Sequence, residues 1–166
     1  MTLSFRTHHL IQAVVEFSDQ SLPLDLFLNG YYRTHKALGS KDRLFIGDTI
    51  YSLIRWKGLL DAVIPEPHNW EKRLETFLKI PLEELKKGEL EDHDKVSFPK
   101  WLFDRLSEQL GQKKALEICL ISIQQAPPTV RVNLMKTDRT TLLESLKKHA
   151  SVEPTALGVQ KRCGIQ

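Results

Sequence analysis

The chain has 166 residues, 41% apolar and 27% charged, with a formal net charge of +3. That is room for one large domain or two small ones, in the composition of an ordinary globular protein rather than a disordered or fibrous one. No apolar run approaches the roughly 18 to 20 residues of a membrane span. The opening MTLSFRTHHLIQAVVEF has neither the basic start nor the small-residue cleavage site of a secretory signal. Cys119 and Cys163 are far apart and fit no metal spacing, so a reducing cytoplasm is the expected setting.

Phe5 to Phe17 has helical period, with Leu10, Ala13, Val14 and Phe17 on one face and Ser4 or Thr7 as cap. Pro23 suits the first turn of a second helix, whose buried stripe is Leu24, Phe27, Leu28 and Tyr31. Gly39 is expected to close that helix in the left-handed conformation. Ser40 is the expected N-cap of a single long third helix reaching Pro65, with Asp42 favoured by the dipole in its first turn. Ile46, Ile50, Leu53, Ile54 and Leu60 spread over a wide arc, which predicts a central helix. Gly47 implies a close crossing by a neighbour, and Asp48 and Arg55 imply partners elsewhere in the fold.

Short helices follow over Trp70–Leu78 and Pro81–Lys87. The stretch ELEDHDK reads as an acidic linker or exposed turn. Ser97 is the expected cap of a helix over Pro99–Leu110 with the stripe Phe98, Leu102, Leu106 and Leu110. Gly111 ends it, and Gln112–Gln124 returns antiparallel, with Ala115, Leu116, Cys119, Leu120 and Ile123 inward. Cys119 on that apolar face reads as a buried structural thiol. After Pro127-Pro128 the period changes: Val130, Val132 and Leu134 alternate with Arg131 and Asn133, a half-buried strand. Asp138 caps a helix to His149, with Leu142, Leu143 and Leu146 inward, and Ala156–Arg162 reads as another strand. The expected fold is mainly α: a helical bundle, a helical hairpin and the start of a small α/β subdomain.

No G-x-G-x-x-G or P-loop occurs, and the six scattered histidines offer no two-ligand spacing. No catalytic, cofactor-binding or metal residues are assigned. The basic excess lies in residues 95–166, with 12 Lys/Arg against 6 Asp/Glu; this is compatible with a phosphate-facing surface there, while charge alone favours an ordinary solubilising surface. Candidate phosphate contacts are Arg131, Lys136 and Arg139, followed by Lys41 and Arg43.

Two stretches carry a resemblance. Leu38, Gly39, Asp42, Arg43, Phe45, Tyr51 and Arg55 match the third-helix pattern, and Pro99, Trp101, Leu102, Gly111, Ala115, Pro127, Arg131, Val132, Asn133 and Lys136 match a second one in order and spacing. Together they resemble the N-terminal region, with its NusB-like helical domain, of the Sun-type RNA (cytosine-5) methyltransferases. Gln124-Gln125 departs from the usual Asn, and Met135 from the usual Leu. The resemblance implies a NusB-like domain over 1–88, an acidic linker over 89–96, and a hairpin with a partial β-α-β subdomain over 97–166.

It also implies a Rossmann-type catalytic domain downstream, which binds S-adenosylmethionine and supplies the attacking cysteine. Neither feature is in these residues, so the fragment is expected to be inactive alone. The implied partners are RNA, ribosomal RNA in particular, and the protein's own catalytic domain. The alternative is a NusB-like protein-interaction module without RNA affinity, which the near-neutral first 88 residues favour for the bundle.

Overall fold

The structure, a computed structural model, describes residues 4–124, 126, 128–154 and 162–165, the last four as backbone. Ten helices and three short strands are present among them, a helical bundle followed by a small α/β region. The chain divides into two compact units, Met1–Ile123 and Gln124–Gln166.

In the first unit α1 spans Phe5–Ser18, and its cap is Ser4, whose hydroxyl accepts the Thr7 N–H at 3.3 Å. Helix α2 spans Leu24–Thr34 and buries Phe27, Leu28 and Tyr31. Gly39 does not close α2 in the left-handed region. It sits extended at φ −71° and ψ 170° as the N-cap of α3, Ser40–Arg55, and its N–H donates to the Asp42 carboxylate at 3.3 Å.

The expected long helix is broken. Helix α3 ends at Trp56, which leaves the helical region at φ −100° and ψ 13°, and α4 runs Lys57–Val63. The amides of Gly58 and Leu59 donate to the hydroxyl of Ser97, at 2.8 and 3.4 Å. Ser97 therefore caps α4, 39 residues back, and not the helix that follows it. Its backbone is left-handed, at φ 54°.

Helix α3 is packed by α1 and α5 (Trp70–Lys79), burying Ile46, Thr49, Ile50 and Leu53. Its opposite face is open: Leu44, Asp48 and Tyr51 are exposed. Among the described residues neither Asp48 nor the half-buried Arg55 forms an ion pair. The expected partners are absent because water reaches this face. The close neighbour at Gly47 is the Tyr32 hydroxyl, which donates to the Arg43 carbonyl at 3.0 Å.

One buried cluster joins α1 to α5 and includes Leu85 of α6, Leu82–Leu85. A charged pin crosses its edge. Arg73, only 7% exposed, donates through Nε to Asp61 at 2.6 Å and stacks on Trp70, while Lys57 donates to the other Asp61 oxygen at 2.5 Å. Burial works against the Asp61 charge, but the bonds from Arg73 and then Lys57 outweigh it and hold the carboxyl below its ordinary value.

The acidic segment contains one helical turn, α7 at Asp92–Lys95, lying against α4 and α8. Helices α8 (Lys100–Leu110) and α9 (Gln112–Ile123) form the hairpin around Gly111, whose φ of 83° suits glycine. Val96, Phe103, Ala115 and Cys119 are its buried centre. Leu110, expected inward, is exposed at the turn, and Phe103 takes that role. Burial pushes the Cys119 thiol pKa up, as befits a structural cysteine.

In the second unit β1 is Thr129–Arg131, α10 is Arg139–Lys147, β2 is Val152–Glu153 and β3 is Arg162–Ile165. Strand β3 lies between the other two and is antiparallel to both, with Val130 opposite Cys163 and Val152 opposite Ile165. Pro127 and, apart from Arg162, the strand expected over Ala156–Arg162 lie outside the described residues.

Candidate nucleic-acid interface

The second unit holds seven Lys/Arg against three Asp/Glu, and the first holds seventeen against eighteen. Three of the candidate cations, Arg131, Lys136 and Arg139, fall within nine residues of the second unit.

The segment between β1 and α10 is built to hold an open loop. Val132 is buried and anchors it. The strand expected to continue to Leu134 ends at Arg131, because Asn133 turns the chain. Its side-chain oxygen accepts the Met135 N–H at 3.0 Å, and its carbonyl accepts the N–H groups of Lys136 and Thr137 at 3.0 and 3.1 Å. Leu134, expected inward, is 52% exposed, and Met135 is 97% exposed. Residues Arg131–Met135 line a cleft of about 430 Å³.

Asp138 caps α10. Its carboxylate accepts the Thr141 hydroxyl at 2.6 Å and the N–H groups of Thr140 and Thr141 at 2.9 and 3.0 Å. The Thr141 hydroxyl leads the contacts that hold this carboxyl below its ordinary value. The first amides of α10 are thus already taken by a side chain. Any anion contact at this turn would have to come from side chains, not the helix end. Arg131 and Lys136 are exposed, and Arg139, the first residue of α10, is half-buried.

Lys41 and Arg43 belong to the first unit. Lys41 is exposed on the first turn of α3. Arg43 is engaged: its Nε donates to the Leu38 carbonyl at 2.9 Å, and its guanidinium lies 5.6 Å from the Tyr32 ring centre. Sequence reasoning passed over Asn133 as a builder of the loop. An Asn two residues before a backbone amide it can accept, at the end of an alternating run, was the available signal.

Among the described residues no group of three His, Cys, Asp or Glu is arranged to hold a metal ion, and no helix is long and apolar enough to cross a membrane.

Two parallel strands joined through a helix, with an antiparallel strand between them, make the split β-α-β unit that forms half of a ferredoxin-like sheet. Residues 98–165 match the family model described as Methyltr_RsmF/B-like, ferredoxin-like domain. That span includes the α8–α9 hairpin as well as the sheet, and over it the chain is similar to the RsmF/B-like methyltransferases. The resemblance to the Sun-type RNA methyltransferases holds there. A search of the curated proteins finds no match.

Proposed function

We propose that this chain is the RNA-docking region of an S-adenosylmethionine-dependent ribosomal RNA (cytosine-5) methyltransferase. Residues 1–88 serve as its NusB-like bundle, and a further domain of the cytoplasmic enzyme carries the methyl transfer. The observation that supports this most is the Asn133-tied loop. It presents Arg131 and Lys136 to solvent beside Arg139, inside the span that matches the methyltransferase family. Structured RNA is gripped mainly through phosphates and shape, which requires several cations on a preformed scaffold rather than a base-reading groove. Exposed Met135 and Leu134 add apolar surface against which an unstacked base or sugar can rest.

The test is fluorescence anisotropy of labelled ribosomal RNA fragments with the whole 166-residue chain, across a salt series. Salt-sensitive binding that weakens on charge reversal at Lys136 and Arg139 supports the reading. Binding indifferent to both salt and those substitutions refutes it.

A further inference from the structure

Histidines of the first unit gather where the end of α2 meets the early turns of α1. His9 of α1 and His35, the C-cap of α2, are both half-buried, with ring centres 5.0 Å apart. His8, exposed, has its ring centre 5.7 Å from that of His9. Tyr31, only 4% exposed, joins the two helices. The His35 ring stacks on it at 4.0 Å, and the Tyr31 hydroxyl lies 2.9 Å from His9 Nδ1 and donates to the His9 carbonyl at 3.3 Å. His35 Nδ1 donates to the Tyr31 carbonyl at 2.9 Å. Phe5 packs edge-on against the His9 ring, 4.7 Å between centres. Tyr31 itself stays neutral at every pH of interest, because burial above all pushes its hydroxyl up to about 12.

No carboxylate is paired with these rings. Among the described residues the histidines that meet carboxylates are His68, beside Asp61, and His93, beside Glu91 and Asp94. The charges on the elements around the cluster are of both signs, and the acids are engaged elsewhere. On α1, Arg6 is paired with Asp42 of α3 at 3.4 Å, and Glu16 accepts the Gln12 amide at 2.9 Å. Arg43 of α3 is spent on the Leu38 carbonyl and the Tyr32 ring. Arg33 and Lys36, on either side of His35 in sequence, are exposed cations. Helix α5 bonds α1 at its other end, through Trp70 and Ser18, and its buried Arg73 is held by Asp61. Burial first, then His35 and His8 as like charges, hold the His9 pKa below its ordinary value.

We propose that the His9–Tyr31–His35 cluster is a proton-sensitive latch, which keeps the end of α2 docked on α1 while both imidazoles are neutral and loosens that contact in mild acid. An unfolded histidine titrates near 6.5, and folded His9 titrates lower. The unfolded chain therefore binds more protons between the two values, and stability falls as the pH drops through that window. The chemistry is that of two imidazoles 5.0 Å apart, which cannot both carry charge in a half-buried site without repulsion. The cluster and the basic loop lie in different compact units, so this inference does not depend on the RNA reading.

The whole chain is followed by amide hydrogen exchange and urea unfolding between about pH 7.5 and 5.5, with exchange rates corrected for the intrinsic effect of pH. Local opening of α1 and α2 should rise about threefold or more across that range, ahead of α8 and α9, and the urea midpoint should fall. His9→Asn keeps a nitrogen near the position of Nδ1 and should remove most of the response. His35→Asn suits a C-cap and should reduce it by removing the like charge. His68 and His93 keep their carboxylates in both variants, so the difference from the parent isolates the cluster.

A response of equal size in the parent and in His9→Asn overturns the proposal, as does opening that rises evenly over all the helices or falls with acid. Should either variant fail to fold, the parent still decides the matter through the NMR titration of its His9 ring protons. A midpoint below the ordinary histidine value, accompanied by shifts in the Tyr31 and His35 signals, supports the latch. A midpoint at or above that value, or a His9 titration that leaves Tyr31 and His35 unmoved, overturns it.

Discussion

The hydroxyl of Ser97 accepts the N–H of Gly58 at 2.8 Å, and a Cβ added to Gly58 would come within 3.0 Å of that same oxygen and 3.1 Å of the Ser97 Cα. The two residues fit one another: the serine caps α4, and the glycine lets its backbone come close enough to do so. Ser97→Ala removes the acceptor of two amides and should cost about 1–2 kcal/mol in urea unfolding. Ser97→Gly also loses the cap but relaxes the left-handed backbone, so it should cost less than alanine. The reverse order would show that the hydroxyl is not what matters here.

Two glycines of adjoining helices should respond oppositely to alanine. At Gly47 the added methyl would lie 3.5 Å from the Tyr32 hydroxyl, an ordinary contact, so Gly47→Ala should gain up to about 1 kcal/mol from helix propensity. At Gly58 the same gain is opposed by Ser97 backbone atoms at 3.1 and 3.3 Å, which cannot move without breaking the cap. Gly58→Ala should therefore destabilise. Melting temperatures of the two variants against the parent give the answer.

Asp61 should make the stability of the first unit acid-sensitive. Its carboxyl is held below the ordinary value, so its contribution is complete above the unfolded carboxylate pKa of about 3.9 and is lost as the pH falls through the lower folded value. At pH 7 Asp61→Asn should cost about 2 kcal/mol. The figure is moderate because a fifth of the Asp61 side chain remains in water. The gap between variant and parent should close in strong acid. A gap that stays constant down to pH 2 would show that the pin is not electrostatic.

Reversing charge at Lys136 and Arg139 together should weaken ribosomal RNA binding and make the log–log salt dependence shallower by about two. Arg43→Glu should act differently. It breaks the bond to the Leu38 carbonyl and the contact with Tyr32, so its principal effect should appear in unfolding curves. Measuring affinity and stability on all three changes separates contact from scaffold.

Helix periodicity and local caps made most of the bundle legible. Ser4, the inward faces of α1, α2 and α9, and the Asp138 cap all follow from residues within a turn of one another. The broken third helix and the misplaced Ser97 cap concern a partner distant in sequence. Nothing near Trp56 announces a break, because the group that satisfies the freed amides arrives 39 residues later. Ser97 beside Pro99 has every local mark of an N-cap, yet its hydroxyl faces backwards.

Arg131, Lys136 and Arg139 were visible as charge. That the strand stops at Arg131 and that Met135 stands in solvent depended on the turn made by Asn133.

Protein synthesis delivers the chain from its N-terminus at roughly 5–20 residues per second. Because the start of α4 is closed by residue 97, the bundle on a ribosome remains unfinished after its own helices have emerged. It is completed only when the turn before α8 is free to fold back. A truncation ending near residue 90 would leave the Gly58 and Leu59 amides without their cap, whatever it retains of the buried cluster.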